Sequence, residues 1–170
     1  MTPAQITALR DYLKTDPTLV TLANSGLDQS AADVINARTA TVIEKPKMIG
    51  ERGIMSALGI TAGPVFMSAL DDFAAATLAA DHPLLAYQPG IKRAVKWLYG
   101  EGLDVGDPLT RSMLDALAAA SVIALASATA VKAVAEKTVS YPVSLGWGTV
   151  TENDIAWAAR DAVGNSLLGA

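Results

Sequence analysis

The chain has 170 residues, with 13 lysines and arginines against 17 aspartates and glutamates, one histidine and no cysteine. The missing cysteine excludes thiol catalysis, Cys-ligated zinc, iron–sulfur chemistry and disulfides, and the lone His82 serves metal binding poorly. A net charge of −4 lacks the basic excess of a dedicated nucleic-acid binder, while the length suffices for one domain with a core of its own.

Apolar residues make up 51% of the chain and many are alanine, so closely packed helices are the expected architecture. The opening Met1-Thr2-Pro3 runs directly into an amphipathic pattern, and no basic segment followed by an apolar one announces a signal peptide. Thr2, Pro3 and Gln5 supply an N-cap, a first-turn proline and a capping-box partner, and Ile6, Leu9 and Leu13 mark the buried stripe of a first helix. Asp16-Pro17 repeats the signal for a short second helix carrying Leu19, Val20 and Leu22, stopped by Asn24-Ser25-Gly26. A third short helix follows Asp28 or Ser30 and ends near Asn36.

From Arg38 to Gly50 the pattern changes. Thr39, Thr41, Val42 and Ile43 favour extended backbone, and Pro46 argues against a central helix or strand, so residues 38–52 are expected to form an extended arm or β-hairpin. Ile54 to Leu58 reads as a brief helix stopped by Gly59. Gly63-Pro64 restarts the chain, and Phe66, Leu70, Phe73 and Ala74 recur at helical spacing toward Ala80. After His82-Pro83 come a short piece at Leu84 to Tyr87 and a helix from Ile91 to Tyr99 with Ile91, Val95 and Leu98 on its apolar face.

Gly100, Gly102 and Gly106 make a loop that ends on the cap Asp107-Pro108. Leu109, Met113, Leu114 and Leu117 define the next helix, and an alanine-rich stretch runs to about Glu136 with a turn near Ser121 to Ala124. The uncharged run Ala116 to Val131 is rich in alanine, serine and threonine and falls short of the roughly 20 apolar residues a bilayer needs, so no membrane span is expected there. Val139 to Val150 looks irregular or extended, and Thr151 with Asp154 starts a last helix burying Ile155, Ala158, Ala159 and Ala162. The expected fold is mainly α: a single domain over 1–170, a compact bundle of six to eight short helices with an arm or hairpin near residues 38–50.

No catalytic, cofactor or metal signature emerges. Asp81-His82 has no nucleophile motif beside it, and the paired acids Asp71-Asp72, Asp104-Asp107 and Asp154-Asp161 lack calcium-loop or glycosidase spacing. The glycines of 100–106 lack the lysine and Ser/Thr of a phosphate loop. Partner contacts are the better reading. Lys92, Arg93 and Lys96 form a basic patch in which Arg93 can stack on Trp97 one turn later, and Lys45, Lys47 and Arg52 add charge around the arm residues Val42 and Ile43. The same patch would serve a small nucleic-acid-binding or regulatory module. Trp157 falls off the apolar face of its helix, which suits a partner contact.

Gly102-Leu103-Asp104-Val105-Gly106-Asp107, then Thr110, Met113, Leu114, Asp115 and Leu117, and Leu145 through Ala156 resemble a family of small helical proteins encoded in the virion-structure modules of tailed bacteriophages. The Met1-Thr2-Pro3 opening, the Asp16-Pro17 helix and the Gly50 to Gly59 segment are similar to it as well. The resemblance implies a non-enzymatic virion protein assembled in the host cytoplasm, with the neck between portal and tail as the preferred place. It implies no cofactor, a homo-oligomeric ring, portal and tail proteins as partners, and DNA that passes without specific binding. The family pattern divides the alanine-rich stretch with a glycine and an acidic cap where this chain has Ser121-Val122-Ile123-Ala124.

Overall fold

The computed structural model describes residues 1–169 and is mainly α-helical, with nine α-helices among those residues. By internal packing the chain divides into two units, Met1–Val42 with Thr138–Ala170, and Ile43–Lys137.

The first unit contains α1 (Pro3–Lys14), α2 (Pro17–Asn24), α3 (Asp28–Ala37), the single turn α8 (Tyr141–Ser144) and α9 (Glu152–Ala159). Both ends of its helical set are fixed by the expected capping boxes, Thr2 with Gln5 and Thr151 with Asp154. Asp16 caps α2 through the Thr18 amide at 2.8 Å. Leu9, Leu13, Leu19, Ile35 and Ile155 are fully buried, and alanines 31, 32, 158 and 159 let α3 and α9 approach closely. Asn36 locks the turn before α9 by exchanging two hydrogen bonds with the Val150 backbone, at 2.8 and 3.0 Å. The expectation that Ala162 is buried fails, because α9 ends at Ala159 and the chain turns away into a bridge between Arg160 and Ser166.

The second unit contains β2 (Met48–Ile49), α4 (Glu51–Ala75), a 3-10 turn (Leu85–Tyr87), α5 (Gln88–Tyr99), β3 (Leu103–Asp104), α6 (Pro108–Ala119) and α7 (Leu125–Ala133). Ile54, Phe66, Leu70, Ile91, Leu98, Val105, Leu114 and Val131 form its core. The segments expected as two helices across Gly59 are halves of α4, which breaks at Gly59 with φ 77° and ψ 173°. The second half starts directly after Gly59, not at Gly63, and ends at Ala75, where the Gln88 side-chain Nε2 donates to the Phe73 and Ala76 carbonyls at 3.0 and 2.7 Å. In α6 the Asp107 cap sets a phase that buries Thr110, Leu114 and Leu117 and leaves Leu109 66% exposed, contrary to its expected place on the apolar face. The alanine-rich stretch is interrupted at Ser121, which takes a φ of 58°, and its helix ends at Ala133.

The segment 38–50 is extended, as expected. Its two strands pair with later parts of the chain: β1 (Thr39–Ile43) with β4 (Glu136–Ser140), and β2 antiparallel with β3, Met48 opposite Asp104 and Ile49 opposite Leu103. Glu136, expected at a helix end, begins strand β4, in which the β-branched Thr138 and Val139 find β1 as a ladder partner; the stretch from Val139, expected irregular or extended, is extended to Ser140 and then makes the single turn α8. The longest uncharged run lies in α4, from Gly53 to Leu70. It makes α4 the one described helix long and apolar enough to cross a bilayer by length and composition, although Gly59 interrupts it and Phe66, Leu70 and Phe73 belong to the unit's core.

Candidate functional site

The titratable groups that the structure organises are tied into the fold. The Asp104 carboxylate accepts from the Lys47 amide at 2.7 Å and the Gly106 amide at 2.9 Å, which fastens the loop before β2 to the loop after β3. Asp107 accepts from the Leu109 and Thr110 amides at 2.9 and 3.0 Å. His82 Nδ1 accepts from the Leu84 amide at 3.1 Å and so caps the loop that follows it. Tyr99 donates its hydroxyl proton to Asp71 at 2.7 Å, and that bond to a carboxylate, with partial burial, raises the phenol to about 12. In the first unit Arg38 links Tyr12 and Asp16, and the hydrogen bond from Arg38 holds the Asp16 carboxyl below its usual range. Tyr141 stacks on Tyr12 at 5.0 Å and Trp147 meets it edge-on, an aromatic cluster that no sequence spacing announced.

The residues singled out as contacts fall into three places. Val42 and Ile43 lie on β1, where Val42 is half-buried and Ile43 38% exposed, and their backbone belongs to the β1–β4 ladder. Lys45 and Arg52 are exposed, whereas Lys47 is engaged with Glu44 at 2.9 Å. Trp157 stands on the outer side of α9 with 61% of its surface exposed, beside the loop that carries Val163, itself 85% exposed. It borders an open groove formed by Ala156, Trp157, Arg160, Asp161, Ala162 and Gly164.

The third place is α5. Lys92, Arg93 and Lys96 are exposed, and none takes part in an ion pair among the described residues. The expected stacking of Arg93 on Trp97 does not occur. The one cation–π contact described is Arg38 over Tyr12 at 5.6 Å, and Trp97 is 46% exposed. Trp97 instead walls an open pocket shared with Met48, Glu101, Leu103, Asp104 and Asp107. Sequence reading missed this acidic, aromatic pocket because Met48 reaches it only through the β2–β3 pairing.

Large apolar side chains are also uncovered on the outer side of α4, where Ile60 is 87% and Val65 68% exposed. They were not among the expected contacts, since the helical repeat of that segment marks only its buried face. Comparison of the chain with family models, with curated proteins and with solved structures finds no match.

Proposed function

We propose that the chain is a non-enzymatic structural subunit of a tailed-bacteriophage virion, a head–tail connector that assembles as a ring between portal and tail. The observation that carries this reading is the exposure of Trp157, at 61%, on a well-capped helix whose other large side chain, Ile155, is fully buried. A rigid aromatic held outward at low entropic cost is the kind of side chain that anchors protein interfaces. Ile60 and Val65 on α4 add uncovered apolar surface in the second unit. Asp16, Asp104, Asp107 and Asp154, by contrast, serve as helix caps and loop fastenings. The strands of the 38–50 segment are each paired on one edge, β1 with β4 and β2 with β3, and the exposed side chains of Ile43, Lys45 and Arg52 add to the contact surface offered by the helix faces.

Mass photometry and negative-stain microscopy of the purified protein, alone and with portal or tail-terminator rings, test the reading. A ring, or stoichiometric binding to either neighbour, is expected. A protein that forms no ring and binds neither refutes it, and density for the chain at a tail tip or on the capsid in a virion reconstruction would assign another structural role.

A further inference from the structure

We infer that the outer face of α5 is a self-complementary docking surface on which a second copy of this chain pairs about a two-fold axis through Trp97. In a chain with more carboxylates than cations, Arg38, Lys47, Arg111, Lys132, Lys137 and Arg160 each find an acidic partner. Lys92, Arg93 and Lys96, like Arg10, Lys14, Lys45 and Arg52, do not, but they are three within five residues of one helix, and α5 itself contains no acid to offer them. Immediately beyond the helix lies the opposite charge: Glu101 is exposed and in no ion pair, and it shares the Trp97 pocket with Asp104 and Asp107. Asp104 uses Oδ1 and Asp107 uses Oδ2 for their backbone bonds, which leaves one oxygen of each without a partner.

Trp97 follows Arg93 by one turn of α5, and Glu101, in the loop after the helix ends at Tyr99, lines the Trp97 pocket, so a cation, a half-exposed indole and an anion follow one another from α5 into the loop beyond it. Antiparallel pairing centred on Trp97 carries Arg93 of each copy, about 6 Å along the axis from its own indole, toward the pocket in which the other copy holds Glu101. The operation repeats the contact with the copies exchanged, as an isologous interface requires. Each pocket then receives the other copy's arginine between an indole face and carboxylates, a cation–π and charge-assisted site. A polyanion fits less well, because the basic arc is bordered by Glu101, Asp104 and Asp107 at one end and by Asp71 beside Tyr99.

The pairing is separate from the head-to-tail contacts of a ring, and the two stand or fall separately. Analytical ultracentrifugation of the full chain should show a dimer that weakens with salt. Arg93→Glu and Glu101→Arg should each raise its dissociation constant at least about tenfold. The double variant should return to within about threefold of the unmodified protein, since the two contacts reform with signs exchanged. Because the chain has no cysteine, Lys96→Cys supplies a single thiol on the flank of the contact, and a short bis-maleimide should link it into a covalent dimer, which a head-to-tail contact would not. Failure of the double variant to recover, absence of the cross-linked dimer, or salt-dependent binding of duplex DNA that displaces the dimer overturns the inference. Rings indifferent to these variants would remove this interface and leave the ring. Dimers that respond as described without larger assemblies would do the reverse.

Discussion

Replacing Gly106 with alanine tests whether the loop contacts around Asp104 hold the second unit together. A Cβ built at Gly106 lies 2.0 Å from the Glu44 carbonyl oxygen, 3.1 Å from its carbon and 3.2 Å from Asp104 Oδ1. Backbone, not a flexible side-chain tip, occupies that space. Glu44 cannot simply recede, since its amide donates to the Ala135 carbonyl at 2.8 Å. Separating the two loops sacrifices the bonds from the Lys47 amide to Asp104, 2.7 Å, and from the Val105 amide to the Lys47 carbonyl, 3.0 Å. Two such bonds are worth about 2 kcal/mol together, and crowding a packed site adds about 1–2 kcal/mol. The expected loss is therefore about 3–4 kcal/mol, or roughly 10 °C in Tm for a chain of this size. Gly90→Ala is the control: its Cβ meets only the Met113 sulfur at 3.7 Å, and alanine in the first turns of α5 should gain about 0.5 kcal/mol. Urea unfolding followed by circular dichroism measures both. A Gly106→Ala protein within about 0.5 kcal/mol of the unmodified chain would show that the loops slide past each other freely and refute the reasoning.

Asp154 gives a pH signature. Burial pushes its carboxyl up, but hydrogen bonds from the Thr151 hydroxyl and amide and from the Met1 amine, 3.3 Å away, outweigh burial and leave it below the ordinary 3.8. A depressed carboxyl stabilises above its unfolded pKa and loses that contribution as pH falls through the folded value, so Asp154→Ala should cost about 1–2 kcal/mol at neutral pH and flatten the acid limb of a Tm-versus-pH curve below 4. Arg160→Met should cost about 2 kcal/mol in urea titration, because both Asp28 oxygens, each 2.8 Å from the guanidinium, lose their partner while remaining mostly enclosed. Trp157→Ser should change stability by less than about 0.5 kcal/mol yet abolish the assembly read by mass photometry; intact rings would exclude Trp157 from the contact.

Helix starts were legible where a short polar side chain precedes a proline or sits three residues before its box partner. Thr2, Asp16, Asp107 and Thr151 all cap as their local sequence dictates, since capping needs only neighbours within four residues. Gly59 likewise marks its own break. The strands were less legible because their partners are remote. Nothing near Met48 announces Asp104, and Glu136 reads as a helix end until β1 is known. Ser121 shows the intermediate case: the change of pattern places a turn there, but a serine with positive φ is not what local preference favours. Leu109 was misplaced because a one-residue shift in helix phase exchanges a buried position for an exposed one.

At the candidate site the same distinction between local and remote information operates. The basic run at 92–96 and the exposed character of Trp157 follow from helical periodicity, so both were visible in the chain. Whether a cation is spare is not a local property, because Arg111 and Lys132 look as free as Arg93 until α6, α7 and β4 bring Glu136 and Asp115 to them. The Trp97 indole shows the consequence. Sequence spacing offered it Arg93 from its own helix, whereas the fold turns it toward an acidic pocket and leaves Arg93 unmatched. A cation on α5 and a carboxylate pocket in the loop beyond it can each take a counterpart of the other's kind. A second copy presented antiparallel supplies both at once, without a charge being buried alone.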